Sequence, residues 1–195
     1  MKKILILDGH PDHKSYCSSV SEAYYEGAKA AGLDAKKINI RDLKFNPVLH
    51  YGYRKNQNLE SDLLKAQEQI KWCEHLVIIT PVWWGGLPGL FKGFIDRTFV
   101  RGFSHYFDTK MGRPVPLLKG RSAHVIYTQG TPSFISRLIK GDFFWKTLKR
   151  AILKFCGFSS IKRTYLGSAK SNNAKGNKRR KDFLIKVEKM GKLGR

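Results

Sequence analysis

Acidic residues are scarce in this chain: 15 aspartates and glutamates face 37 lysines and arginines across 195 residues, a formal net charge of +22. Such an excess brings nucleic acid, an anionic membrane surface or a polyanionic substrate into consideration, and charge alone does not choose among them. Most of it lies in the last third, from Lys146 to Lys154, Lys162 to Lys170 and Lys175 to Lys192, so it can be separate from the core chemistry. No zinc-finger, RRM or recognition-helix pattern accompanies the lysines, and a nucleic-acid partner therefore has only charge in its favour. No apolar run reaches the roughly 18 to 20 residues of a membrane span. The N-terminal MKKILILDGHPDH meets an acidic residue too early for a secretory signal, and a cytoplasmic protein is expected. Cysteine is also sparse. Cys17, Cys73 and Cys156 are odd in number and widely spaced, which argues against a disulfide framework or a zinc site. No GxxxxGK[ST] occurs and no GxGxxG follows the first apolar run, so neither a P-loop nor a Rossmann dinucleotide site is indicated. There is no internal repeat.

What is present is an alternation of apolar runs and amphipathic segments. With 42% hydrophobic residues the chain is expected to form one domain over 1–195, with a basic linker and C-terminal helix at about 168–195. KILILD at 3–8 reads as a strand buried on both faces. Val20 to Ala31 reads as a helix stopped by Gly32, and DAKKINI at 34–40 as a second strand. The polar and aromatic connection from Arg41 to Ser61 is long for a compact domain and is expected to border a pocket or pack on a partner subunit. A helix over Asp62–Cys73 with Ser61 as its cap, a third strand at 75–80 and a helix over Leu87–Phe99 follow. A loop at 100–119, a strand at 122–128, a helix at about 142–155, a strand near 163–166 and a basic helix at about 177–190 complete the reading. Five strands alternating with helices specify a doubly wound parallel sheet with helices on both faces.

The stretch TPVWWGGLPGLFKGFIDRTF, Thr80 to Phe99, is built to present backbone. Gly85, Gly86 and Gly89 permit close approach, Pro88 can open a helix, and Trp83 and Trp84 offer flat faces beside exposed amides. A glycine turn with two core tryptophans is the plainer alternative. In the loop 9–19, His10, Ser15, Tyr16, Cys17, Ser18 and Ser19 precede a helix N-terminus, where amides and the helix dipole favour an anion such as phosphate. A hydroxyl-capped helix start explains the same residues without a ligand. Doubly wound sheets bind ligands beyond the carboxyl ends of their strands, so loops 9–19, 80–88 and 128–134 should converge on one crevice.

These motifs together, GHP and SYCSS, then PVWWGGLPGLFKGFIDRTF, TQGTPSF and KFCGF, resemble the NAD(P)H quinone oxidoreductases, DT-diaphorase-like flavoproteins with a flavodoxin-like fold. The resemblance spans nearly the whole chain. It implies FMN or FAD as cofactor and NAD(P)H as electron donor, with two electrons passed to a quinone or related electrophile. It places the flavin phosphate at His10, Tyr16, Cys17 and Ser18, with Cys17 where the family has a stronger hydrogen-bonding group. It places the ring against Pro81, Val82, Trp83, Trp84 and Gly85 and along Thr128, Gln129, Gly130 and Thr131. Trp83 and Phe134 would line the substrate pocket. Phe134 and Lys140 stand where the best-studied members carry a tyrosine and a histidine, so Phe134 cannot donate a proton, and Lys140 is a candidate for stabilising negative charge or a solvated lysine. A homodimer whose partner completes the pocket is expected. Some relatives are flavin-bearing regulatory subunits of ion-efflux systems, which offers a second reading in which the basic surface meets a membrane transporter or anionic lipid.

Overall fold

The computed structural model describes residues 1–52, 54–132, 135 and 142–195. Strands β1 (Lys3–Asp8), β2 (Asp34–Asn39), β3 (His75–Pro81), β6 (Ser122–Thr128) and β7 (Ile161–Leu166) form one sheet in the order β2-β1-β3-β6-β7. All four pairings are parallel, as the alternation with helices requires. β1 shows why apolar residues run without interruption: Ile4 and Ile6 enter one core cluster, Leu5 and Leu7 the other, and both faces are covered.

Helices α1 (Tyr16–Ala30) and α5 (Ala174–Lys192) cover one face. Helices α2 (Ser61–Trp72), α3 (Gly89–Thr98) and α4 (Phe143–Lys146) cover the other, α4 continuing as a π-helical stretch over Thr147–Lys154. The α1 and α5 backbones touch through glycines. A Cβ on Gly27 would lie 2.2 Å from the Glu188 carbonyl oxygen, and one on Gly191 would lie 2.1 Å from that of Tyr24.

Three local expectations change. Helix α1 begins at Tyr16 rather than Val20, because the Ser15 side chain accepts the Ser18 amide and turns SYCSS into a first helical turn. Ser61 does not cap α2; the flanking residue is Glu60, whose carboxylate is taken by the Asn46 amide and Arg97. The 100–119 segment contains a short antiparallel ribbon, β4 (His105–Phe107) with β5 (Pro114–Pro116), too short and proline-rich to register as strands.

The long connection after β2 is fastened to the chain's own α3. Arg97 is 1% exposed and donates to the carbonyls of Asn46 and Asn58 and to Glu60 at 2.5, 2.7 and 2.8 Å. Gly93 leaves the space that Pro47 fills, since a Cβ there would stand 2.5 Å from the proline. Phe45 meets Phe94 edge-on at 6.2 Å.

Candidate active site

At the carboxyl end of β1, Asp8 is buried and gathers the first loop around itself. Its carboxylate accepts the His10 amide at 3.1 Å, the Ser18 hydroxyl at 3.0 Å and the Arg41 guanidinium at 2.7 Å. His10 is half-buried, meets the Trp83 ring edge-on at 5.5 Å, and accepts the Asp12 amide on Nδ1. Its pKa is lowered by burial, so the neutral ring holds its proton on Nε2. Tyr16 donates from its hydroxyl to the Arg180 carbonyl at 2.8 Å, tying the start of α1 to α5. Cys17 is buried, its sulfur 3.3 Å from the Thr128 hydroxyl, and burial pushes the thiol up to about 12. The side chains of Tyr16, Cys17 and Ser18 are thus engaged within the protein. What this loop offers a ligand is the start of α1, where the Tyr16 and Cys17 amides have no acceptor among the described residues.

The second loop leaves β3 at Pro81. Val82 donates to the Thr128 carbonyl at 2.8 Å, and Trp83 and Gly86 exchange backbone hydrogen bonds of 3.1 and 2.8 Å, closing a two-residue turn. Its central residues Trp84 and Gly85 have φ of 52° and 76°, the sign pattern of a type I′ turn. Positive φ is costly for a bulky residue such as tryptophan. Trp84 is also fully exposed and Trp83 43% exposed, so neither is a core tryptophan.

The third loop starts from Thr128 and Gln129, both buried, and Gln129 donates to the Leu166 carbonyl at 3.0 Å. Beyond β7, Ser168 and Ala169 donate to the carbonyls of Thr131 and Gln129. Between the second and third loops lies an open crevice of about 730 Å³. Pro81, Val82, Trp83, Trp84, Gly85, Thr128, Gln129, Gly130 and Thr131 all line it. The amides of Trp84, Gly85 and Gly130 have no acceptor among the described residues. His10, Tyr16, Cys17 and Ser18 lie beside the crevice, joined to it through the His10–Trp83 and Cys17–Thr128 contacts. Phe134 and Lys140 lie outside the described residues.

The far wall was not anticipated. It consists of Tyr127, Asp142, Phe143, Phe144, Ala169 and Lys170. Arg163 pairs with Asp142 and lies against Trp145 and Tyr165, with 5.0 and 5.5 Å to the ring centroids, while Tyr127 stacks on Tyr165 at 5.0 Å. Burial pushes the Tyr127 hydroxyl up to about 12, which keeps it protonated at neutral pH. Ala169 and Lys170 follow the carboxyl end of β7, so the strand-end rule could have found them. Among the described residues, no group of three or more histidines, cysteines or acids could hold a metal. None of their helices is long and apolar enough to cross a membrane.

A doubly wound parallel sheet in the order β2-β1-β3-β6-β7, with an aromatic, amide-lined crevice beyond the carboxyl ends of β3 and β6, defines a flavodoxin-like protein. The family profile described as Flavodoxin-like fold matches residues 2–190, and the chain belongs to that family. Human ribosyldihydronicotinamide dehydrogenase [quinone] is 29% identical over 185 residues, covering 82% of this chain and 79% of that protein. The crystal structure of Smu.1420 from Streptococcus mutans UA159 superposes with a TM-score of 0.81 at 29% identity, covering 98% and 99% of the two chains. The NAD(P)H:quinone oxidoreductase from Methanothermobacter marburgensis shares the fold at a TM-score of 0.78, 22% identity and 97% and 94% coverage. These findings bear out the resemblance to the quinone oxidoreductases and place the chain among oxidoreductase enzymes.

Proposed function

We propose that this chain binds FMN or FAD in the crevice between residues 81–85 and 128–131 and passes two electrons from NAD(P)H to quinones or related electrophiles. The observation that carries the reading is the trio of free amides, Trp84, Gly85 and Gly130, beside two exposed tryptophans in a cleft of about 730 Å³. That donor set suits a flat heterocycle with acceptor atoms on its edge, and the open start of α1 suits the phosphate at its tail. The flavin, when bound, supplies the two-electron chemistry.

The chain's own residues bind and orient. Gly85 lets the turn approach a ring without a side chain between them, and the free amides would favour negative charge at the ring edge they face. Trp83 forms a wall braced by His10, and Phe143, 70% exposed, faces the cleft from the other side. An acceptor held by such faces needs few specific hydrogen bonds, which fits a planar quinone. Phe143 leaves an apolar face at the rim for a second copy to cover, and we take the working form to be a cytoplasmic homodimer. The regulatory-subunit reading has no observation in its favour.

Heating the purified protein and identifying the released chromophore tests the cofactor, and NAD(P)H consumption with a quinone panel tests the reaction. Gly85→Val is expected to abolish flavin retention with little change in the far-ultraviolet circular dichroism spectrum. Full flavin occupancy in that variant, or no flavin bound by the wild type after reconstitution, would sink the proposal.

A further inference from the structure

A second cavity lies at the other end of the sheet. It occupies about 320 Å³ beside β6, β7 and the C-terminal half of α5, with His124, Lys162, Thr164, Lys186, Lys189 and Arg195 in its wall. Arg163 contributes to this wall too, but its guanidinium is committed to Asp142. No aspartate or glutamate side chain lines the cavity. Glu74 is the nearby acid, and it interacts with Lys2 and the Lys3 amide. Lysines at this density repel one another and the charge of any proton placed between them, an energy that a bound anion offsets.

The histidine makes the cavity more than a basic surface. His124 is 4% exposed, and its Nε2 lies 2.9 Å from the Thr164 hydroxyl. That hydroxyl points on to the Met190 sulfur at 3.8 Å, which leaves its oxygen to accept from Nε2–H. The neutral ring therefore presents an Nδ1 that makes no hydrogen bond within the protein, although the Arg195 main chain faces the ring. The groups facing the ring are His75 on β3, Lys162 on β7, Lys186 on α5 and Arg195, with Lys2 behind His75. Burial and the lysines lower the His124 pKa, whereas the main chain at Arg195 acts in the opposite sense. A buried polar atom left without a partner in a cationic pocket needs explaining. An anion delivered into the cavity explains it, because it neutralises the lysines and gives a protonated Nδ1 an acceptor.

We propose that this cavity is a second ligand site, remote from the crevice, which takes a small phosphate-bearing anion through Lys162, Lys186, Lys189 and His124. The chemistry fits a free di- or triphosphate group. The volume, near the lower end of ligand pockets, holds such a group and little of what it is attached to.

Pyrophosphate titration by calorimetry at constant ionic strength, on protein saturated with FMN so that the crevice is filled, tests the proposal. One saturable site is expected, and Lys162→Ala/Lys189→Ala should weaken it at least tenfold. Lys175→Ala/Lys178→Ala removes the same charge from the exposed start of α5 and should change affinity less than twofold. The His124 ring nitrogens, followed by NMR, should show Nδ1 gaining a proton as pyrophosphate binds. No saturable binding, equal losses in the two double variants, or an unmoved His124 signal would each overturn the assignment. So would retention of anionic lipid vesicles or duplex DNA that pyrophosphate does not displace.

Discussion

The two ends of the parallel sheet are built from different materials. At the carboxyl end, turns present backbone amides, exposed rings and a tryptophan at positive φ, while the polar side chains of the first loop are consumed by internal bonds. At the amino end the backbone is spent on the parallel ladder, and side chains line the cavity: the buried His124, whose Nδ1 has no hydrogen-bond partner, and Lys162, Lys186 and Lys189. The first arrangement suits a large flat ligand gripped at its edges, the second a small charged one. Helix α5 joins them, because its Arg180 carbonyl holds Tyr16 beside the crevice and its last turns roof the basic cavity.

Separating α5 from α1 should therefore damage both ends together. Gly191→Val places a side chain where the Tyr24 carbonyl oxygen would be 2.1 Å away, a backbone contact that cannot relax by turning a rotamer. We expect a loss of about 3 kcal/mol, read as a lower urea midpoint, since overpacking of this kind is among the larger single-site effects. An unchanged midpoint would mean that α5 is an appendage and that the two ends are independent.

Much of this architecture can be read from the residues, and the reasons differ by element. β1, β3 and β6 are apolar runs without alternation, a pattern that only a strand covered on both faces requires; the strand-end rule then predicts one crevice for loops 9–19, 80–88 and 128–134, of which residues 81–85 and 128–131 line it and the first loop lies beside it. Glycine and tryptophan at 83–86 announced a backbone-presenting turn, but not that Trp84 would itself take the left-handed conformation. The roles of Asp8 and Arg41 were illegible because their pairing joins residues 33 apart in sequence. The far wall was missed since it depends on where β7 and α4 deliver their side chains. The amino-end cavity is hidden for a similar reason: His124 and Thr164 are unremarkable strand residues until β6 and β7 pair in register.

The histidines offer a second way to set the ends apart. Burial, then Lys2, His124 and Lys162, push the His75 pKa down from 6.5 to about 3. A folded-state pKa below the unfolded value means that the unfolded chain binds the proton first. Stability from the neutral His75 ring is therefore full above pH 6.5 and falls progressively as pH drops towards 3. His75→Asn should flatten that acid limb in urea midpoints measured across this range. His10→Asn at the crevice should flatten it less, because His10 is half-buried and the carboxylates of Asp8 and Asp12 counter its desolvation. Equal flattening would erase the difference in burial on which the contrast rests.

The smallest expected effect has the opposite sign. Trp84 is fully exposed and held at φ 52°, so it contributes no core packing and carries the steric cost of the left-handed region. Trp84→Gly removes that cost, roughly 1 to 2 kcal/mol. It also gives the unfolded chain the extra freedom of a glycine, which takes back about 0.5 to 1 kcal/mol. The net is a gain of about 0 to 1.5 kcal/mol in urea stability, where truncating a core aromatic costs about 3 to 5 kcal/mol. The same variant should hold flavin less tightly, because it loses one wall of the crevice while keeping the turn and its amides. A gain in stability coupled to a loss of flavin affinity identifies Trp84 as strain held for binding. A loss of stability with unchanged affinity would return it to the ordinary role of a packing residue.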